Sequence, residues 1–269
     1  GITLPATGDR VRDSRADLEQ VNNLGEKMNQ WVYAETHRHL KQGKLVGVVG
    51  GDHSVPFGAM QAAGEIFGEF GVLCFDAHSD MRRAFQGFKW SHASIMYNVL
   101  ERIPEVRKLI QVGVRDFCEE EVEYYRSCQD RVKVFYDGML AQKKFKGVSW
   151  RQLADDIVAE IPKNVWISFD IDGLDPGLCP HTGTPVPGGL DFNEVNFLLA
   201  SVVHSGRRIL GFDLVEVAPD PGSMDEWDAN VGARLLYKLT GWTLASQGKR
   251  KCLASCLRSG PNKIGPFQI

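Results

Sequence analysis

Three short segments carry metal-ligand side chains at closely matched spacings. They are Gly50-Gly51-Asp52-His53-Ser54, Phe75-Asp76-Ala77-His78-Ser79-Asp80 and Ser168-Phe169-Asp170-Ile171-Asp172-Gly173-Leu174-Asp175-Pro176. Each follows an apolar run that reads as a buried strand. Residues two apart in extended backbone point the same way. Asp76, His78 and Asp80 can therefore face one point, and Asp170 and Asp172 can face it from a neighbouring strand. His53 adds a second imidazole. Carboxylate and imidazole together suit Mn or a similar divalent ion better than a thiolate-bound metal. Two such ions, bridged by carboxylates, turn water into a hydroxide nucleophile at neutral pH. Four aspartates, two divalent ions and one hydroxide sum to a slightly negative centre, which favours a cationic substrate.

Each segment alone has a plainer reading. An Asp-x-Asp pair commonly ends a strand, and Asp52 or Ser54 can cap a helix after a tight turn. Three of them in order, each at a strand end, favour a shared metal site.

The elements that must position these residues are legible as alternating strands and helices. Strands are predicted at 45–49, 71–75, 109–114, 132–135, 165–169 and 209–215, all short and apolar on both faces. That is the pattern of central parallel strands covered on two sides. Helices are predicted at 15–42, 54–67, 94–100, 119–126, 149–160 and 191–204. The expected fold is α/β, a three-layer α/β/α sandwich with a mostly parallel central sheet. Ligands in such sheets gather beyond the carboxyl ends of the strands. No linker divides the chain, so residues 1–245 read as one domain. Residues 246–269, opening on Ser246-Gln247-Gly248-Lys249-Arg250-Lys251, read as an irregular tail.

The 269 residues are 43% hydrophobic and 24% charged, with a net charge of −3. Neither nucleic acid nor an anionic membrane is an expected main partner. No stretch reaches the roughly 20 apolar residues of a membrane span. No signal peptide is visible, and the missing initiator Met suggests a trimmed or partial chain. The six cysteines show no C-x-x-C pair, which points to a reducing cytoplasm. Cys74 reads as a small buried hydrophobe.

These motifs resemble the ureohydrolase family of arginases, agmatinases, guanidino-acid hydrolases and formimidoylglutamases. The resemblance rests on the three segments, on Thr182-Gly183-Thr184-Pro185-Val186-Pro187-Gly188-Gly189-Leu190 and on Asp213-Leu214-Val215-Glu216-Val217, and covers about residues 44–240. It implies an arginase-like fold, two Mn2+ ions (Ni or Co in some relatives), homo-trimers or hexamers, and hydrolysis of a guanidinium group to urea and an amine. It implies that His53, Asp76, Asp80 and Asp170 hold one ion and that Asp76, His78, Asp170 and Asp172 hold the other. Glu216 matches the position that pairs with the guanidinium, as a planar cation requires. His92 matches a proton-shuttling histidine, a natural donor to a departing amine. Asp80 is expected to position the hydroxide. Thr184 is either a hydroxyl near the reacting group or a turn-stabilising residue.

The substrate loops depart from each relative. Ala93 stands where arginases and agmatinases keep Gly after the shuttle histidine. Cys118 takes the place of the Asp with which arginases read an α-amino group. His92 itself argues against formimidoylglutamate. Arg82 and Arg83 read as salt-bridged loop residues, the alternative being a carboxylate receiver. Phe85, Phe88 and Trp90 either line an apolar channel or pack the loop. His181 reads as a solvated loop residue, and His37, His39 and His204 carry no predicted role. Thr7-Gly8-Asp9-Arg10-Val11-Arg12 reads as a remnant of a Gly-rich turn. The expected activity is agmatinase-like, on agmatine or a similar guanidino cation. The alternatives are arginine or formimidoylglutamate on the same site, or a catalytically silent partner subunit.

Overall fold

The computed structural model describes residues 8–220, 222 and 226–249, with side chains from residue 14. Six strands form one sheet: β1 (Val46–Val49), β2 (Phe70–Phe75), β3 (Val106–Val112), β4 (Val132–Phe135), β5 (Asn164–Asp170) and β6 (Arg208–Val215). Their spatial order is β1-β6-β5-β2-β3-β4, and every pairing is parallel. All six predicted strands are present, with ends displaced by at most three residues. Every residue of β2 is buried, as a central strand covered on both faces requires.

Helices cover the two faces. On one side lie α1 (Gly8–Lys41), α2 (Phe57–Phe67), α3 (Ile95–Arg102) and α4 (Glu119–Ser127). On the other lie α5 (Asp137–Phe145), α6 (Trp150–Glu160), α7 (Phe192–His204) and α8 (Trp227–Ser246). Alternation along β5 divides the two cores. Val165, Ile167 and Phe169 pack toward α6 and α7, whereas Trp166 packs with the α1–α3 side. Capping boxes open α6 (Ser149 with Gln152) and α7 (Asp191 with Glu194), which explains why these starts were legible.

Three sequence expectations need correction. The segment from Gly8 is the start of α1 and not a turn, since 8–17 lacks the apolar alternation a strand or hairpin would bury. Helices α5 and α8 were not predicted. In α8 the buried Val231, Leu235, Leu239 and Trp242 recur at helical spacing and carried the signal. In α5 the interior holds only Leu140, so little periodicity was available. Ser246 closes α8, Gln247–Lys249 follow as a turn, and the rest of the expected tail, from residue 250, lies outside the described residues.

The order of the strands fixes the place for chemistry. From β2 the chain runs outward through β3 to β4. From β5, adjacent to β2, it runs the other way to β6. The crevice beyond the carboxyl ends of β2 and β5 is the switch point of the sheet. Asp76 follows β2 directly and Asp170 ends β5.

Candidate metal centre and cavity

His53, Asp76, His78, Asp80, Asp170 and Asp172 meet at this switch point. His53 Nδ1 lies 2.9 Å from Asp76 Oδ2, 3.1 Å from Asp80 Oδ2 and 3.4 Å from Asp170 Oδ2. His78 Nδ1 lies 3.0 Å from Asp172 Oδ2 and 3.5 Å from Asp76 Oδ1. Asp76 thus turns one oxygen to each imidazole. All but His78 are buried.

Local backbone builds this convergence. Asp52 accepts from Ser54 N in a tight turn after β1, although neither residue caps α2, whose first turn follows Pro56. Asp76 and Asp170 accept from the amides of His78 and Asp172, which turns each loop sharply back over its strand. Gly173 packs on the end of β2, where a Cβ would come within 2.7 Å of Asp76 N. Asp80 does not continue the extended alternation. Its φ is +54°, and its carbonyl is pinned by the amides of Met96 and Tyr97 at the start of α3. Glu216 has φ +62° and is held by Gly51 O through its amide and by Thr182 Oγ1 through its carbonyl. Such conformations persist only where the surroundings over-determine them.

A second set of groups orients His53. Its Nε2 lies 2.9 Å from Ser168 Oγ, which donates to Asp213 Oδ1 at 2.8 Å. Since Ser168 gives its proton to Asp213, Nε2 must carry a hydrogen, so Nδ1 of the neutral ring is a bare lone pair. That leaves Nδ1 and Asp76 Oδ2 as buried acceptors with no hydrogen-bond donor. Acceptors that face one another in a dry site call for a proton or a cation between them. The donor set of imidazoles and carboxylates fits a divalent cation on each side of Asp76. Cys74 also approaches His53 and Asp76. Burial, then the charge of Asp76, keeps its thiol well above the ordinary pKa, so it is a poor ligand.

The same crowding shifts the proton affinities of these groups. Burial and the neighbouring Asp76 charge push Asp80 up to about 8. Burial, then Asp76 and Asp172, push Asp170 up as well. Burial works to lower both histidines, but their carboxylate partners outweigh it. His53 is raised well above its usual value and His78 to about 11. Burial likewise tends to raise Asp76, but hydrogen bonds from His53 and His78 prevail and hold it low. The four raised groups bind protons more tightly folded than unfolded. Each contributes stability that is present at low pH and lost as pH rises through its folded pKa. Chelated protein is therefore expected to melt at lower temperature as pH rises from about 5 to about 9, with Mn2+ reversing the loss. Thermal melts in chelator, with and without Mn2+, check this. A chelated protein that became more stable across that window would contradict it.

Above the cluster opens a cavity of about 190 Å³, lined by His78, Asp80, Asp170, Asp172, His92, Thr184 and Glu216 among others. Every sequence-predicted site residue except the buried His53 and Asp76 lines this wall, and those two lie just beneath it. Glu216 Oε1 accepts from His53 N at 2.9 Å, and burial raises its pKa. His92 opens a 3-10 turn (His92–Ser94) and sits edge-on to Phe85 at 5.9 Å.

Other lining residues were not singled out in the sequence. Asp116 and Phe117 follow β3, and Glu121 comes from α4. Glu121 is buried and accepts from Met81 N and Cys118 N, tying two site loops together. Arg82 lines the cavity too, 4.0 Å from Glu121 and over the Phe85 ring, so it is more than a surface salt-bridge residue. Arg83 lies over Tyr97. Phe88 pairs with Phe85 across a tight turn, and Trp90 packs on Phe57. His181 is not a solvated loop residue: its Nδ1 meets the buried Asp228 at 2.9 Å and fastens this loop to α8. Asp213 carried a signal that went unread, a carboxylate inside an apolar core strand, which must be paired to be buried.

Comparison with known proteins identifies the family. The family described as Arginase family matches residues 9–241. N(1)-aminopropylagmatine ureohydrolase of Thermus thermophilus is 35% identical over 222 residues, covering 82% of this chain and 70% of that protein. Proclavaminate amidinohydrolase of Streptomyces clavuligerus has a solved structure that superposes with a TM-score of 0.68 at 26% identity, covering 81% of this chain and 70% of that one. The agmatine ureohydrolase of Thermoplasma volcanium superposes with a TM-score of 0.66 at 27% identity, covering 84% and 70%. The chain belongs to the arginase family and is a hydrolase of the type that acts on guanidino compounds.

Proposed function

We propose that this protein is a binuclear manganese-dependent ureohydrolase that cleaves agmatine or a similar guanidino amine to urea and the free amine. The observation that carries the proposal is the convergence of six ligand side chains, with buried lone pairs unsatisfied, beneath a cavity that also exposes Glu216 and His92. His53, Asp76, Asp80 and Asp170 would hold one ion, and Asp76, His78, Asp170 and Asp172 the other. Bound there, two such ions supply Lewis-acid stabilisation and make water acidic enough to deprotonate near neutral pH. Nickel or cobalt would satisfy the same donors.

The remaining work falls to side chains. Glu216 pairs with the guanidinium and sets its plane. Asp80 holds the attacking oxygen against the guanidinium carbon. His92 gives a proton to the nitrogen whose bond to that carbon breaks, so the amine leaves neutral and urea remains. The cavity is small, which suits a slender chain. Asp116 and Glu121 make its wall acidic, and the relative from Thermus thermophilus is named for an aminopropyl derivative of agmatine. Both support a substrate with a cationic tail. Arg82 favours a second reading, arginine or another guanidino acid, whose carboxylate it would meet.

The test is urea release by Mn2+-loaded protein from a panel of agmatine, aminopropylagmatine, arginine and guanidino acids, with formamide release from formimidoylglutamate as the contrast. Glu216→Gln is expected to lower kcat/KM about 30-fold, from loss of about 2 kcal/mol of charge-assisted hydrogen bonding. Absence of urea from every substrate by fully loaded protein would end the proposal.

A further inference from the structure

We propose that Trp166 is a positioning residue that fixes the ligand atom of His53 through hydrogen bonding, and so sets how tightly one of the two cations is held. This rests on the two-cation reading above. The indole Nε1 of Trp166 donates to Asp213 Oδ2 at 2.6 Å. The other oxygen of Asp213 accepts from Ser168 Oγ at 2.8 Å and from Phe169 N at 3.3 Å. Ser168 Oγ in turn faces His53 Nε2 at 2.9 Å. All four side chains are buried, with relative exposures of 0%.

Directionality is the consequence. An indole nitrogen can only donate. With Trp166 occupying Oδ2, the Ser168 proton is directed to Oδ1, and the serine oxygen is left to accept from His53. The imidazole hydrogen then stays on Nε2, and Nδ1 stays bare toward Asp76, Asp80 and Asp170. The sheet provides the alignment. Trp166 pairs in register with Gly211 and Ser168 with Asp213, so indole, hydroxyl and carboxylate share one face of two neighbouring strands. Gly211 makes room for the ring, since a Cβ there would come within 2.4 Å of Trp166. Without the indole N–H, Oδ2 is a buried oxygen with no donor. The unanchored carboxylate is then free to turn away from Ser168, whose hydroxyl can donate to His53 Nε2 instead, and His53 loses its preferred tautomer.

His78 takes no part in this chain of hydrogen bonds, so the effect should fall on one side of the pair. Two variants isolate it: Trp166→Phe, and site-specific replacement of Trp166 by β-(3-benzothienyl)alanine, which keeps the shape of indole and removes only the N–H. Calorimetric titration of chelated protein with Mn2+ reads the two binding steps. Nitrogen-15 NMR of the chelated protein, at a pH high enough to leave His53 neutral, reads its tautomer. One step is expected to weaken about 10- to 100-fold, with the other little changed, and the Nε2–H tautomer to lose population. The benzothienyl variant keeps the test open should Trp166→Phe fold poorly. Two unchanged binding steps in the benzothienyl protein would overturn the role of Trp166 and leave the hydrolase reading intact. A native protein that binds fewer than two Mn2+ would overturn that reading, and this inference with it.

Discussion

Replacing Asp76 with asparagine is expected to reduce urea release on the order of 1,000-fold or more and to lower bound Mn2+ below two equivalents. Among the described residues, no other side chain divides its two oxygens between the two imidazoles. Oδ2 lies 2.9 Å from His53 Nδ1 and Oδ1 lies 3.5 Å from His78 Nδ1. Asparagine keeps the shape and one oxygen but presents an amide nitrogen to one cation, and it removes a charge that both would share. The four aspartates no longer balance two divalent ions, so at least one should leave. The fold should survive, since Asp76 sits at the end of β2 and its shape is conserved. Metal content by mass spectrometry and urea release measured on the same sample separate the effects. Wild-type turnover with two bound ions in Asp76→Asn would remove the basis of the mechanism.

The architecture and most of the site were readable because both are written in local pattern. Short apolar runs such as 71–75 can be little but buried strands, and the ligands follow them within one to five residues. Parallel order then places those ends together. What sequence could not supply was the company each residue keeps across the sheet. Asp213 and Ser168 lie 45 residues apart and meet because β5 and β6 are neighbours. The backbone at Asp80 is another case. The spacing of Asp76, His78 and Asp80 suggested regular alternation, yet φ at Asp80 is +54° because the carbonyl is needed at the start of α3. His181 looked solvated for the same reason, since Asp228, its partner on α8, is 47 residues away in a helix whose start has no strong capping signal. Short-range pattern named the candidate ligands, whereas the groups that orient them are fixed by tertiary contact.

His92→Asn is expected to lower kcat about 100-fold or more while leaving two Mn2+ bound and KM within a few-fold of wild type. The imidazole lines the cavity edge-on to Phe85 and is not one of the six proposed ligands, so cation binding should not depend on it. It shares the cavity wall with Glu216, the group proposed to pair with the guanidinium. A guanidino amine is a poor leaving group until its nitrogen is protonated, because an alkylamide anion is far too basic to depart. If His92 supplies that proton, the defect should shrink as the departing amine becomes less basic. Rates on a series of N-substituted guanidines, from alkyl to electron-poor aryl, therefore carry the decisive slope. The wild-type enzyme should show a shallow dependence on leaving-group pKa, and His92→Asn a steep one. Equal slopes would mean that water or another acid delivers the proton, and that the imidazole serves only to shape the wall beside Phe85.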